Sequence, residues 1–190
     1  MTTLQTKLVA TLQKNLQISH ILEVLELINP PNWYLGAGCI TQSVWNSICN
    51  YETTHGIKDY DIVYFDSDTS QQKEQEYAKK IQSALPNINI DVTNQARVHL
   101  WYHHIFHKKI SPYTSVEEAI KSWPTTASAI GIRKENQEFI VCAPFGLDDL
   151  FSLTVRPNKL QITEDVYIAK VQRWLEKWPQ LNIIKWSKTI

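Results

Sequence analysis

Residues 56–66 read GIKDYDIVYFD, in which two aspartates stand one residue apart at the start of a β-branched and aromatic run. The run predicts a buried strand, and because side chains alternate along a strand, Asp59 and Asp61 would project from the same face. Two carboxylates about 5 Å apart repel each other by about 3 kcal/mol at an effective dielectric constant near 20. Nothing local offsets that cost, so the pair predicts a site for Mg²⁺ or Mn²⁺, which prefer hard oxygen ligands.

A third acid stands on the next predicted strand. Residues 87–94, NINIDVTN, alternate apolar and polar residues, which predicts a strand with one buried face and Asp91 on the polar face. Three aspartates from neighbouring strands can hold two metal ions for an in-line phosphoryl displacement. Asp59, Asp61 and Asp91 are therefore the predicted catalytic and metal-binding residues. The alternatives are a loop-to-strand junction for the first pair and a solvent-facing position for Asp91.

A glycine-rich turn precedes the acidic pair. Residues 35–46, LGAGCITQSVWN, predict a strand that turns at Gly36 and Gly38 into a helix. Glycine lets backbone amides approach a phosphate, and a helix N-terminus carries partial positive charge. The predicted nucleotide-binding residues are the two glycines, two hydroxyl residues and an arginine: Gly36, Gly38, Thr41, Ser43 and Arg97. For the glycines, the alternative is a tight turn that makes no contact with a ligand. For Arg97, the alternative is a salt bridge to a nearby acid.

Apolar residues at spacings of three and four predict helices over much of the remaining chain. They lie at about residues 3–28 (two helices that meet near Gln17 and Ser19), 71–85, 116–123 and 164–178, and residues 97–110 form a helix or an irregular turn. Two further strands flank a polar turn at 135–137. We expect an α+β fold, a short mixed β-sheet flanked by helices, in one domain (1–190) with N-terminal helices (1–29), a core (30–160) and a C-terminal helix and tail (161–190).

Composition narrows the class of protein. The 19 basic and 19 acidic residues balance, which disfavours a non-specific nucleic-acid binder. Three scattered cysteines without CxxC spacing disfavour a disulfide framework or a cysteine-based zinc module. The amphipathic N-terminus lacks the apolar core of a signal peptide, and no apolar run is long enough to span a bilayer. We expect a cytoplasmic protein that does not bind membranes.

The order of a glycine-rich turn, a helix, an acid-x-acid strand and a third acidic strand resembles the DNA polymerase β-like nucleotidyltransferase superfamily. Five segments together are similar to one of its branches, the bacterial nucleotidyltransferase-like family (formerly a domain of unknown function): YLGAGCITQSVWN, IKDYDIVYFD, NQARVHLWY, WPTTASAIGIR and APFGLDDLF. The resemblance implies the polymerase β-like fold and metal-dependent transfer of a nucleoside monophosphate from NTP to an acceptor hydroxyl, with release of pyrophosphate. It also implies that Asp59 and Asp61 bind both metals, while Asp91 completes the shell of the catalytic metal and helps to activate the acceptor.

The glycine turn departs from that of CCA-adding enzymes, whose head domain the chain also resembles. Those head domains have a Gly-Gly pair followed by Arg-Asp, whereas here the pair is Ala37-Gly38, and Thr41 and Gln42 take the places of Arg-Asp. We also expect none of the helical domains that grip a tRNA, which makes tRNA a doubtful substrate and leaves the acceptor undetermined. A non-catalytic nucleotide-binding or partner-binding module on the same fold is the alternative function.

Three histidines offer a third hypothesis. His99, His103 and His107 are spaced by four residues, so a helix would place them on one face, where they could bind zinc as in a hydrolase. Aromatic residues lie between them and no HExxH-type acid accompanies them. Histidines that pack near an aromatic cluster or face solvent are therefore the favoured interpretation.

Overall fold

The computed structural model describes residues 2–187, which form a five-stranded sheet, a separate two-stranded sheet and eight helices. The helices are α1 (Thr3–Leu12), α2 (Leu16–Ile28), α3 (Gly38–Cys49), α4 (Gln71–Ala84), α5 (Val98–Phe106), α6 (Val116–Lys121), α7 (Asp148–Phe151) and α8 (Glu164–Leu175), with a 3-10 turn (Gln95–Arg97) before α5. The strands are β1 (Tyr34–Gly36), β2 (Tyr60–Tyr64), β3 (Ile90–Asn94), β4 (Gly131–Glu135), β5 (Glu138–Cys142), β6 (Thr154–Val155) and β7 (Asn182–Ile183). This architecture confirms the predicted α+β class.

The five-stranded sheet is mixed, as predicted. Its order is β3-β2-β1-β4-β5, with β2 and β3 parallel and the other neighbouring pairs antiparallel. The parallel pair is joined through α4, since parallel strands need a crossover connection. The central strand β1 has only three residues and leads almost directly into α3. The start of α3 therefore lies beside the middle of the sheet.

The two faces of the five-stranded sheet are covered to different extents. Leu35 pairs in register with Ile62 and with Ile132, and all three side chains are completely buried in the main core, to which α1, α2, α3 and α8 contribute. On the opposite face, Tyr34 and Val63 pack against α6 in a much smaller cluster. The second face is therefore the one with room for a ligand.

The first two helices meet earlier in the chain than predicted. α1 ends at Leu12 and α2 begins at Leu16, whereas the periodicity placed the junction near Gln17 and Ser19. Asn15 causes the difference, because its side-chain oxygen accepts hydrogen bonds from two backbone N–H groups in the first turn of α2. The ambiguous stretch at 97–110 is largely helical, as α5.

A cluster of tryptophans holds the C-terminal helix. α8 ends at Leu175 rather than near Trp178, since Pro179 disfavours a helical backbone at the residue before it. Trp45 of α3 contacts Trp174 and Trp178, with ring centroids 5.1 and 5.6 Å away. These nearly completely buried rings fix the end of α8 against α3. Within residues 2–187 no helix combines the length and the apolar character needed to cross a bilayer.

Candidate active site

Asp61 and Asp91 lie side by side on neighbouring strands. They are register partners in the parallel pair β2–β3, so their side chains share one face of the sheet. Val63 and Thr93, the next partners with the same orientation, continue that face, which is the less covered one. Asp59 is exposed and lies just before β2 rather than within the strand. The fold thus brings two of the predicted acids together on one face, with the third at its entrance.

The Asp61 carboxyl group is strongly perturbed. Burial raises the pKa of Asp61 to about 6, and the negative charges of Asp59 and Asp91 contribute to the rise. The positive charge of Lys170 and a hydrogen bond donated by the backbone N–H of Gly38 act in the opposite direction. No Lys, Arg or His within residues 2–187 forms an ion pair with any of the three aspartates. The site therefore carries negative charge that a bound cation would stabilise.

The N-terminus of α3 lies next to Asp61. Its N-cap residue, Ala37, provides no side-chain hydrogen bond, and the first turn of the helix has no acidic residue. Ala37 also adopts φ 52° and ψ −120°, a conformation that glycine adopts easily and other residues only with strain. Backbone N–H groups at such a helix start, together with the helix dipole, form a site suited to an anion.

A polar cleft of about 450 Å³ separates the start of α3 from the end of α8. Gly38, Asp59 and Asp61 line one side of it. The basic residues that line it come from the loop before β2, from α8 and from the turn after α8: Lys58, Lys170, Arg173 and Lys177. Burial lowers the pKa of Lys170, while the charge of Asp61 opposes that change. The cleft can bind phosphate groups through its basic side chains and a cation through its carboxylates.

Three of these basic residues were missed in the sequence as phosphate-site residues, although a signal was present. Lys170, Arg173 and Lys177 follow one another at spacings of three and four, which places them along one side of a helix. Such a basic stripe on the last helix, with few acids interspersed, indicates a surface that faces an anion. Its large sequence separation from the aspartates concealed the connection.

One buried side chain connects the elements around the polar cleft. Asn46 of α3 accepts a hydrogen bond from the indole N–H of Trp178 at 2.8 Å. Its amide donates to the carbonyl oxygens of Thr53, at 3.2 Å, and His55, at 2.8 Å. Asn46 thereby joins α3, the loop before β2 and the chain after α8, which together carry most of the lining of the cleft.

Three of the predicted nucleotide-binding residues have other partners. The hydroxyl of Thr41 is buried and donates to two backbone carbonyl oxygens, at 3.0 and 3.2 Å. Ser43 accepts a hydrogen bond from Asn15 at 3.1 Å, beneath another side of α3. Arg97 forms an ion pair with Glu74, the alternative considered from the sequence. The polar cleft contains none of these three residues.

The two predicted glycines lie in different surroundings. A Cβ atom on Gly36 would lie 2.5 Å from the indole ring of Trp123, so this glycine is required for close packing over β1. Gly38 lines the polar cleft and donates its N–H to Asp61. A nucleotide in this cleft would therefore meet Gly38 rather than Gly36.

The donor types at the aspartates fit a divalent metal, although they are not preassembled. Within residues 2–187 no three His, Cys, Asp or Glu side chains are already arranged to hold an ion. The three aspartates nevertheless supply hard oxygen donors that repel one another, and a metal would relieve that repulsion by drawing them together. The three histidines of α5 and its C-terminal end are likewise not arranged to hold a metal ion in the described part of the chain. Unlike the aspartates, they do not form a cluster of negative charge that a metal would neutralise.

Comparison with known proteins identifies the family. A family model described as nucleotidyltransferase matches residues 23–183, which include every residue of the polar cleft. The chain belongs to this nucleotidyltransferase family. The match confirms the resemblance drawn from the sequence motifs and supports nucleotidyl transfer as the general activity.

The nucleotidyltransferase fold has a counterpart among solved structures. An NMR structure described as revealing a CCA-adding enzyme head domain is similar to the chain with a TM-score of 0.76 and 24% sequence identity. The alignment covers 93% of this chain and 95% of that one. At this level of identity the likeness establishes the fold alone, and it confirms the predicted polymerase β-like architecture. No curated protein matches the sequence.

Proposed function

We propose that the protein is a Mg²⁺- or Mn²⁺-dependent enzyme that transfers a nucleoside monophosphate from NTP to an acceptor hydroxyl and releases pyrophosphate. The observation that carries this proposal is the polar cleft, in which two aspartates face a set of basic side chains from α8 and the adjoining turn. A metal–triphosphate complex has the complementary pattern, with a cation and several anionic oxygens.

The residues of the cleft, together with Asp91 beside Asp61 on β3, divide between the two parts of that complex. Asp59, Asp61 and Asp91 would hold the metal, which when bound neutralises charge that develops on the phosphates. The Lys170 ammonium, the Arg173 guanidinium and the positive end of the α3 dipole would orient the β- and γ-phosphates. Orientation and charge stabilisation are the main contributions a protein makes to phosphoryl transfer.

The transfer step balances without a further reactant. The acceptor oxygen forms a bond to the α-phosphorus, and the bond between that phosphorus and the oxygen bridging to the β-phosphate breaks. Pyrophosphate leaves with the bonding electron pair on the side of the basic cluster. The acceptor proton passes to the carboxylate of Asp91, which is exposed and can release it to water.

Two measurements test this proposal. Isothermal titration with ATP in the presence of Mg²⁺ measures nucleotide binding, and an enzymatic assay of released pyrophosphate measures turnover. Lys170→Met should weaken ATP binding by roughly tenfold, because it removes a charge-assisted hydrogen bond. Lys79→Met, a change of an exposed lysine on α4, is the matched control and should leave binding unchanged. Equal affinities for the two variants would contradict the assignment of the phosphate site.

The alternative is a nucleotide-binding module on the same fold that performs no transfer. The observation favouring it is that Lys170 already provides positive charge near Asp61, so the carboxylates are partly stabilised without a metal. ATP binding that persists in EDTA, with no pyrophosphate release for any acceptor supplied, would support this module. Binding that requires Mg²⁺ and is lost in Asp61→Asn would support the enzyme.

A further inference from the structure

A second cleft adjoins the polar cleft at Asp61. It has a volume of about 260 Å³ and lies on the less covered face of the sheet, over Val63 and Thr93. Five aromatic side chains line it: Trp101, Tyr102, Phe106, Tyr113 and Trp123. Asp61 lines both clefts, so the aromatic cleft and the polar cleft meet at the carboxylate at the centre of the proposed reaction.

The two clefts differ sharply in charge. Among the described residues that line the aromatic cleft, Asp61 alone is charged, whereas the polar cleft contains four basic side chains. An acceptor with a phosphate backbone would need basic residues along its path, and the aromatic cleft provides none in the described chain. Arg97, the nearest arginine in the sequence, is held by its ion pair with Glu74. The charge distribution therefore disfavours a nucleic acid as occupant of the aromatic cleft.

Apart from Asp61, the polar groups that line the aromatic cleft are neutral. The Tyr113 hydroxyl lies 2.7 Å from the Ser122 hydroxyl and donates to the side-chain oxygen of Gln161 at 2.6 Å. Gln95 adds an amide to the lining. Hydroxyl and amide groups between aromatic faces suit a small ring that carries its own hydroxyls. A volume of this size accommodates one such ring.

The direction of the reaction assigns the aromatic cleft to one substrate. In an in-line displacement the attacking oxygen and the leaving oxygen lie on opposite sides of the phosphorus. If pyrophosphate leaves toward the basic residues of the polar cleft, the nucleophile approaches from the direction away from those residues. The aromatic cleft also includes Asp61 and has no basic side chain among its described lining residues, so it is the neighbouring space that suits the nucleophile. The acceptor, rather than the nucleobase, is therefore the expected occupant.

We propose that the aromatic cleft binds the acceptor, a small uncharged molecule with a hydroxyl on a ring that stacks against Trp101 and Trp123. This inference rests on the proposed function, because it uses the position of the leaving pyrophosphate. The acceptor hydroxyl points toward Asp61, and its ring lies along the aromatic wall. The transfer follows the bond changes given above, with the ring hydroxyl as the acceptor oxygen.

Two variants and a control test the occupant. Trp101→Ala removes a stacking face, and Gln161→Glu adds a negative charge with little change of shape. Phe145→Ala changes an exposed aromatic residue that lines neither cleft and is the control. Saturation-transfer NMR with phenol, cyclohexanol and methyl β-D-glucoside measures occupancy of the aromatic cleft. Titration calorimetry with MgATP and with magnesium tripolyphosphate measures the polar cleft.

The proposal predicts that at least one ring alcohol binds the wild-type protein together with MgATP. Its saturation-transfer signal should fall by roughly tenfold in Trp101→Ala, as expected for an aromatic anchor, and stay unchanged in the control. Gln161→Glu should reduce the same signal. MgATP affinity should change by less than about twofold in both cleft variants, because stacking and phosphate binding use separate residues.

Three results would overturn the proposal. A loss of MgATP affinity in Trp101→Ala, with tripolyphosphate affinity retained, would assign the aromatic cleft to the nucleobase. Displacement of the ring alcohols by adenosine would do the same. Absence of binding by all three ring alcohols would remove the cleft as an acceptor site. Failure of MgATP to bind the wild-type protein would instead refute the proposed function, independently of whether ring alcohols bind.

Discussion

Replacement of Asp61 by asparagine should stabilise the ligand-free protein at neutral pH while abolishing transfer. The pKa of this carboxyl is raised from its ordinary value of 3.8 to about 6, mainly by burial. At pH values above that range, the ionised group therefore destabilises the folded state by about 3 kcal/mol relative to the unfolded chain. Asparagine keeps the shape and can still accept the hydrogen bond from Gly38, so the variant should recover much of this free energy.

The pH dependence follows from the two pKa values of Asp61. Near pH 4 and below, the carboxyl of Asp61 is protonated in the folded state, and it becomes protonated in the unfolded chain as well. The free-energy cost of holding an ionised carboxylate in the folded state is therefore largely absent. Between 3.8 and about 6, the folded state retains the proton longer than the unfolded chain. The free energy of unfolding contributed by Asp61 therefore falls as the pH rises through this window. The variant lacks this fall, and the 3 kcal/mol is an upper value because Asp61 is only partly covered.

Urea denaturation of both proteins at about pH 4 and about pH 8 measures the effect. The variant should be the more stable at the higher pH, and the difference should shrink at the lower one. Asp59→Asn is the comparison, because Asp59 is exposed and its removal relieves repulsion without relieving burial. A variant that is no more stable than the wild type at the higher pH, or a difference independent of pH, would refute the reasoning. Addition of MgATP should then stabilise the wild type and not Asp61→Asn.

Three further substitutions test individual contacts. Ala37→Gly should raise the free energy of unfolding by about 1 kcal/mol in thermal or urea denaturation, because it removes strain at a positive φ, and a decrease would show that the turn is not strained. Asn46→Ala should lower the free energy of unfolding by about 2–3 kcal/mol, since the indole N–H of Trp178 and two loop carbonyls lose their partner, and a loss below about 0.5 kcal/mol would contradict this role. Arg97→Gln should lower stability by about 1–2 kcal/mol through loss of the Glu74 ion pair, with ATP affinity by calorimetry unchanged, and a large loss of affinity would restore its predicted phosphate contact.

The sheet and the acidic face were largely predictable from the sequence, because both follow from local alternation. The face of the sheet on which Asp61 and Asp91 project follows from the alternation of side chains along each strand. This alternation can be recognised without knowing how the strands pair. The register that forms places the two residues opposite each other. The alternation does not determine the position of Asp59, because β2 begins at Tyr60. The position of Asp59 depends instead on the loop before the strand.

The nucleotide-binding residues were less predictable. The sequence indicates where α3 begins, but it does not indicate which side of the helix faces the cleft. Thr41 and Ser43 have the hydroxyls that phosphate sites use, yet each is buried against a different neighbour of α3. Which side of α3 faces the cleft is decided by the packing of Trp45 against the C-terminal helix. That contact joins residues far apart in the chain, and no local pattern encodes it.

Under the proposed function, the ligand-free polar cleft is internally balanced, and this balance couples the two ligands. Its lining has four basic and three acidic side chains, and Lys170 and Asp61 stabilise each other's charge without forming an ion pair. A triphosphate that binds Lys170 neutralises its charge, so Lys170 no longer stabilises the carboxylate of Asp61. A bound metal then stabilises that carboxylate by a larger free energy. Metal and nucleotide should therefore each increase the affinity of the other, because coupling between two binding equilibria is reciprocal. Lys170→Met removes the link, so the increase in Mn²⁺ affinity that tripolyphosphate produces should be smaller in that variant than in Lys79→Met.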